Sequence, residues 1–312
     1  MIKHLLLTAA AAALVACSQN KEDTEPPAAP APAEETAPAD ESTEAAVMPS
    51  AEERLDAALA AQSEAAKARY QWRHPKETLE FFGVEPGMTV VEALPGEGWY
   101  SKILVQYLGS EGRLIGADYA LDMWPLFGDQ IPAEMLATRA SWAANFPAEA
   151  DPWCEADCAA VSAFNFGAAP AELAGTADAV LFIRALHNMA RFEGEGGYMT
   201  AAINEAKTLL KPGGIVGVVQ HRAPATSADD WASGGAGYLK QDAIIAVFEN
   251  AGFDFVEASE INANPNDQPG AEDVVWRLPP SFYTSADNPE LKTQMEAIGE
   301  SDRMTLKFKK PE

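Results

Sequence analysis

Two histidines, two arginines and one glycine loop carry most of the chemistry this sequence can do. His187 follows the apolar run 179–183, and His221 follows the run 215–220. Each run reads as a buried strand, so both imidazoles stand at strand ends, accompanied by Arg184 and Arg222. Imidazoles move protons near neutral pH, and guanidiniums fork onto oxyanions. At one sheet edge the four could bind an anionic substrate and transfer a proton. A single histidine there more often caps a strand end or satisfies a backbone carbonyl. The glycine loop is Glu92-Ala-Leu-Pro95-Gly96-Glu-Gly98, after a strand at 88–93 and before a helix at 99–108. Glycine lets backbone approach a ligand, and the helix start offers free N–H groups. Asp118 ends the strand at 113–117, 20 residues after Gly98, where a carboxylate can accept both ribose hydroxyls. Trp99 and Tyr100 open the helix beside the loop. An aromatic face there favours a cation, although burial against the sheet is the expected use of Trp99.

These groups need a scaffold that brings strand ends together. An Ala-rich helix is expected over 51–71, capped by Ser50, with a short helix from Pro75 to Phe82 ended by Gly83. Further strands are predicted at 160–164, 253–258 and 304–309. Helices are predicted near 133–146, 198–210 and 239–250, the second stopped by Lys211-Pro-Gly-Gly214. Strands alternating with helices imply an α/β fold: a doubly wound, Rossmann-like, mostly parallel seven-stranded sheet with an N-terminal helical extension. Ligands of such sheets sit beyond the carboxyl ends of the strands. An insertion is expected at about 261–300. Its run Asn262-Ala-Asn264-Pro-Asn266-Asp267 is dense in turn formers, either a polar lid wall or a plain surface loop.

The acid, the glycine loop, Asp118 and Leu210-Lys-Pro-Gly-Gly214 resemble class I S-adenosylmethionine (SAM)-dependent methyltransferases over about 88–260. Within that superfamily the chain looks closest to exported predicted methyltransferases of the lipoprotein type. The segments carrying this likeness are Arg73-His-Pro75, Pro95-Gly-Glu-Gly-Trp-Tyr100, Leu186-His-Asn188, His221-Arg-Ala-Pro224, Glu260-Ile-Asn-Ala-Asn-Pro265 and Gly299-Glu-Ser-Asp-Arg303. The resemblance implies SAM as cofactor. Glu92 takes the acidic position of the first motif; Pro95, Gly96, Gly98 and Tyr100 line the methionine and ribose portion. Asp118 binds the ribose, and Asn165 faces the adenine. Leu94 stands where the motif carries its first glycine. In-line methyl transfer needs alignment, then removal of a proton if the acceptor is neutral. His187 or His221 is the candidate base, with Arg222 beside them.

The amino terminus points to export. A basic start, Met1-Ile-Lys-His4, precedes an eleven-residue apolar stretch too short to span a bilayer as a helix. The stretch ends in Leu14-Val-Ala-Cys17, which resembles the lipobox of bacterial lipoproteins. That likeness implies a signal peptide over 1–16, acylated Cys17 as membrane anchor, and a periplasm-facing protein in a Gram-negative envelope, with the outer membrane slightly favoured. Residues 18–50 hold 6 Pro, 8 Ala, 8 acids and no aromatic residue, the composition of a disordered tether. The remaining 51–312 carries 39 acids against 20 bases, which argues against nucleic acid as a partner. An oxidising compartment favours a structural disulfide between Cys154 and Cys158; reactive thiols are the open alternative. No metal-ligand pattern accompanies the two cysteines.

The leading expectation is a SAM-dependent methyltransferase acting on a small or envelope-derived acceptor. The alternative is a non-catalytic periplasmic module binding a nucleoside-like or anionic ligand in the same cleft, since SAM is made in the cytoplasm. An NAD-dependent oxidoreductase is third: Lys-Pro-Gly-Gly and the missing glycine weigh against it.

Overall fold

Ser50 begins the first helix with a reciprocal cap: its hydroxyl accepts from the Glu53 amide while the Glu53 carboxylate accepts from the Ser50 amide. The structure, a computed structural model, describes residues 49–312. The signal segment 1–16, Cys17 and the tether up to 48 lie outside the described residues. The predicted 51–71 helix is three pieces: α1 (Ala51–Ala60), α2 (Glu64–Lys67) and α3 (Tyr70–Arg73). The break has a cause. Gln62 turns inward and donates to the carbonyls of Ala58 and Lys102, and Ser63 then caps α2. Pro75 at the first position and left-handed Gly83 after the last bound α4 (Pro75–Phe82).

The core alternates as expected. In chain order come β1 (Thr89–Ala93), α5 (Ser101–Tyr107), β2 (Arg113–Asp118), α6 (Ala133–Ala150), β3 (Ala160–Asn165), β4 (Ala177–Ile183), α7 (Leu186–Arg191), α8 (Glu193–Gly196) and α9 (Tyr198–Leu209). Then follow β5 (Leu210–His221), α10 (Gln241–Asn250), β6 (Asp254–Ser259), α11 (Pro289–Ile298) and β7 (Arg303–Lys309). The sheet order is β3-β2-β1-β4-β5-β7-β6. All pairs from β3 to β5 are parallel, and β7 runs antiparallel between β5 and β6. This is the doubly wound, Rossmann-like, seven-stranded fold expected from the sequence.

Both faces are covered, as a parallel sheet requires. Val90, Leu114 and Leu181 face Leu55, Leu79, Phe82 and Leu104. On the other face Val91, Ile115, Phe182 and Val218 meet Met189, Ile203 and Phe248. Gly217 is needed in β5 because a Cβ there would lie 2.7 Å from the Phe82 ring. Lys211-Pro-Gly-Gly214 lies within β5 rather than before it. The chain bulges there, so that Ala177 pairs with Leu210 but Ala179 with Ile215.

The expected insertion at 261–300 is irregular apart from α11 and a single turn at Val275–Arg277. Its asparagine run is neither lid nor surface loop. Asn262 donates to Thr78 and Thr305, and Asn264 to the carbonyls of Ile298 and Glu300. Arg277, Tyr238 and Asp267 form a buried triad, with Arg277 Nη2 2.6 Å from Asp267 Oδ1 and Nη1 2.8 Å from the Tyr238 hydroxyl. These bonds pin the segment over the ends of β4 and β5. Among the described residues no helix is long and apolar enough to cross a membrane.

Candidate active site

The loop after β1 has the backbone of a glycine loop although its first residue is leucine. Leu94 sits in the left-handed region at φ 54°, with Gly96 at 59° and Gly98 at 76°. The Leu94 amide donates to the Ala117 carbonyl at 2.7 Å, which ties the loop to the end of β2. The two glycines differ in use. The space over Gly96 is open, whereas a Cβ on Gly98 would lie 2.6 Å from the Trp153 ring. Gly98 therefore serves packing. Trp153 adjoins Cys154, which is disulfide-bonded to Cys158.

A cleft of about 790 Å3 runs along Leu94, Pro95, Gly96 and Glu97, walled by Trp99, Arg73 and Arg184. That is within the range of small-molecule sites, roughly 300–1,000 Å3. Glu92 does not face it. Its carboxyl turns beneath the loop and accepts from the Ser101 hydroxyl at 2.5 Å, joining β1 to the first residue of α5. Burial pushes this carboxyl up to about 7, against the opposing pull of Ser101 and Arg184. Tyr100 is also turned away: buried, it donates to the Arg73 carbonyl at 3.1 Å. Glu92 and Tyr100 are thus corrected from ligand contacts to positioning residues. Trp99 lines the cleft, but the Arg73 guanidinium lies 4.5 Å over its ring, so its face already holds a cation.

Asp118 and Asn165 end adjacent strands and pair in register. Asn165 donates to the Tyr119 carbonyl at 3.0 Å and so holds the chain leaving β2. Asp118 accepts from the Tyr119 amide at 2.9 Å, and Arg139 of α6 reaches its other oxygen at 3.4 Å. Burial raises the Asp118 carboxyl, with Tyr119 and Arg139 opposing. Arg139 stacks over Trp124, 4.2 Å from the ring centroid.

The histidines meet as their strand-end positions require. His187, in the first turn of α7, and His221, the last residue of β5, have ring centroids 5.5 Å apart. They share a second cleft, about 220 Å3, with Arg184, Tyr119, Trp276 and Ser301. Both imidazoles are held below their usual value by burial: His187 falls to about 4, and His221 lies well below its ordinary range, helped by His187. Both are neutral at pH 7. His221 Nδ1 lies 2.6 Å from the Ser301 hydroxyl, whose oxygen also accepts from Arg303 at 3.4 Å. His187 Nδ1 is buried without a hydrogen-bond partner among the described residues.

An arginine cluster that no local sequence pattern brings together joins the two clefts. Glu300, before β7, is buried and receives Arg69 at 2.5 Å, Arg73 at 3.2 Å and Arg303. Burial alone would raise Glu300; Arg303, Arg73 and Arg69 outweigh it and hold the carboxyl below its usual range. Arg184 approaches from β4 and lines both clefts, as do Leu94 and Pro280. Arg222 is not part of this group. Its guanidinium is bonded to Asp302 at 2.8 and 3.0 Å and to Glu260 at 2.8 and 2.7 Å. These bonds raise its pKa and leave it as a brace between β5 and the chain entering β7. Two segments quoted for the family likeness, Arg73-His-Pro75 and Gly299–Arg303, supply the cluster, so the signal was present without its geometry.

No protein-family model and no curated protein matches the chain. Among solved structures, geranyl diphosphate C-methyltransferase from Streptomyces coelicolor A3(2), in complex with Mg2+, geranyl diphosphate and S-adenosyl-L-homocysteine, has a TM-score of 0.48 at 13% identity, covering 81% of this chain and 87% of that one. A SAM-dependent methyltransferase from Aquifex aeolicus gives 0.43 at 16% identity, covering 67% and 93%. The [4+2]-cyclase SpnF gives 0.44 at 15%, covering 77% and 80%. At such identities function has to be read from this chain's own residues.

Proposed function

We propose that the chain is a SAM-dependent methyltransferase whose acceptor lies in the His187–His221 cleft. One observation carries this reading: the cleft over the Leu94–Glu97 loop and the histidine cleft share Leu94, Arg184 and Pro280 as a common wall. A cofactor on one side and an acceptor on the other would meet there. The residues fit the cofactor. Leu94 takes the left-handed turn the motif needs, the space over Gly96 is open, and Asp118 ends β2. When bound, SAM supplies an electrophilic methyl group on a sulfonium. Pro95 and Gly96 would hold its methionine part, and Asp118 its ribose once Arg139 moves aside.

The chain's own residues supply alignment and a proton acceptor. Trp276, Leu278 and Pro280 wall the acceptor cleft. His187, neutral at pH 7 and lining the acceptor cleft, is the base. His221 lines the same space. Glu92 and Tyr100 act through the backbone, by fixing α5 and Arg73.

The same engagement of Asp118 by Arg139 favours a second reading, a periplasmic binding module that takes no nucleoside. Calorimetric titration with S-adenosylhomocysteine separates the two. The methyltransferase reading expects micromolar binding, lost in Asp118→Ala and strengthened severalfold in Arg139→Ala. A folded protein that binds none, even as Arg139→Ala, overturns it. Small-molecule chemistry, a lipid anchor at Cys17 and a periplasmic setting complete the proposal. Cys17→Ser should move the protein from the membrane to the soluble fraction of the envelope.

A further inference from the structure

We infer that Arg184 anchors an oxyanion, a carboxylate or phosphate, carried by the acceptor. The inference rests on the reading above only in calling the ligand an acceptor; the anion site stands on its own residues.

Arg184 is partly buried, yet its guanidinium has no hydrogen bond and no ion pair among the described residues. It faces the junction of the two clefts. Arg69, Arg73 and Arg303 each pair with Glu300, whereas Arg184 pairs with no carboxylate among the described residues, and an anion in the cleft is the partner it lacks. Arg73 adds to the demand: it is 3% exposed, and its Nη1 also lacks a partner. Arg69, Arg73, Arg184 and Arg303 stand against a single carboxylate, Glu300, whose two oxygens are already taken. The local charge is strongly positive in a chain whose net charge is −25. Burial, and after it Arg303, hold Arg184 below its ordinary value, with Glu300 opposing.

Arg184 is left-handed at φ 58°, held by its amide bond to the Val219 carbonyl at 2.6 Å. Glycine would meet that backbone without strain. The rest of the cleft suits the remainder of an acceptor. His221 lines the same space, and Trp276, Leu278 and Pro280 offer apolar contact. An anion beside His187 would raise its depressed pKa toward the range where proton transfer is efficient. One group would thus bind the acceptor and ready the base.

The test uses benzoate and phenyl phosphate, with benzyl alcohol as neutral probe, followed by calorimetry and by the histidine side-chain NMR signals. We expect saturable binding of at least one anion, none of the alcohol, and a rise in the His187 pKa on binding. Arg184→Gly should weaken anion binding by about tenfold or more without lowering the melting temperature, because it relieves the backbone. Lys211→Gln, a cation at the opposite end of the sheet, should change nothing. S-adenosylhomocysteine and 5′-methylthioadenosine, which lacks the carboxylate, separate the other source of an anion. If Arg184→Gly weakens the first and not the second, Arg184 holds the cofactor's carboxylate and the proposal is overturned. Absence of anion binding, or equal binding by Arg184→Gly, also overturns it. Intact anion binding without S-adenosylhomocysteine binding supports the anion site and removes only the methyltransferase reading.

Discussion

His187 and His221 lie with ring centroids 5.5 Å apart, but they are held differently: His221 Nδ1 is hydrogen-bonded to the Ser301 hydroxyl, while His187 Nδ1 has no partner among the described residues. Burial keeps both neutral, and His187 further weakens the tendency of His221 to charge.

This pair makes stability depend on acid. The folded pKa of His187 is about 4 and the unfolded value 6.5. Between those values the unfolded chain binds more protons. The stability due to neutral burial is therefore present above pH 6.5 and lost as pH falls through 4. For His187 alone this is of order 3 kcal/mol. Denaturation from pH 7 to 4 should show a steeper loss in the unaltered chain than in His187→Gln. Parallel curves would rule out a buried neutral imidazole.

Glu92 works in the opposite direction. Its folded pKa of about 7 lies above the ordinary 4.5, so its contribution is complete below pH 4.5 and lost as pH rises through 7. Glu92→Gln keeps a partner for Ser101 and carries no charge. It should be more stable than the unaltered chain at pH 8, with the advantage gone by about pH 4.5. A Glu92→Gln chain destabilised at pH 8 would mean that the fold favours the charged carboxylate, against a raised pKa.

Leu94 tests the loop. Its left-handed backbone costs an L-residue roughly 1–2 kcal/mol, and most of all a β-branched one. Leu94→Gly should fold with little change in melting temperature, the relieved strain offsetting lost side-chain contact. Leu94→Val should be less stable by about 1–2 kcal/mol. A Leu94→Val chain as stable as the parent would argue against the left-handed turn.

Arg222 separates brace from ligand contact. Removing it leaves Asp302, a partly buried carboxylate, without its cation. Arg222→Ala should lose about 1–3 kcal/mol of stability while the folded protein binds anions and S-adenosylhomocysteine as before. Unchanged stability with lost binding would return Arg222 to the site.

Much of the site was legible because a parallel sheet gathers its strand ends at one edge. A strand-like run followed by a histidine is enough to place His187 and His221 there, and the same logic places Asp118 and Asn165 side by side. The direction of a side chain is harder to read. Tyr100 opens α5 beside the loop, as expected, but its position on the helix turns the hydroxyl inward to the Arg73 carbonyl. Glu92 occupies the motif position, but the pleat of β1 directs it away from the cleft and toward Ser101.

The sequence by itself determined the strand and helix order, the loop after β1, the acid after β2 and the two histidines, all set by local periodicity and turn chemistry. Tertiary structure alone decided which charges are free. Arg73 and Glu300 are separated by 227 residues, and Arg222 and Asp302 by 80. Arg184 and Arg222 follow adjacent strands and look alike in the sequence. One bonds two carboxylates and becomes a brace; the other bonds none among the described residues and faces the cleft. Ion pairing depends on distance across the fold, which no local pattern encodes.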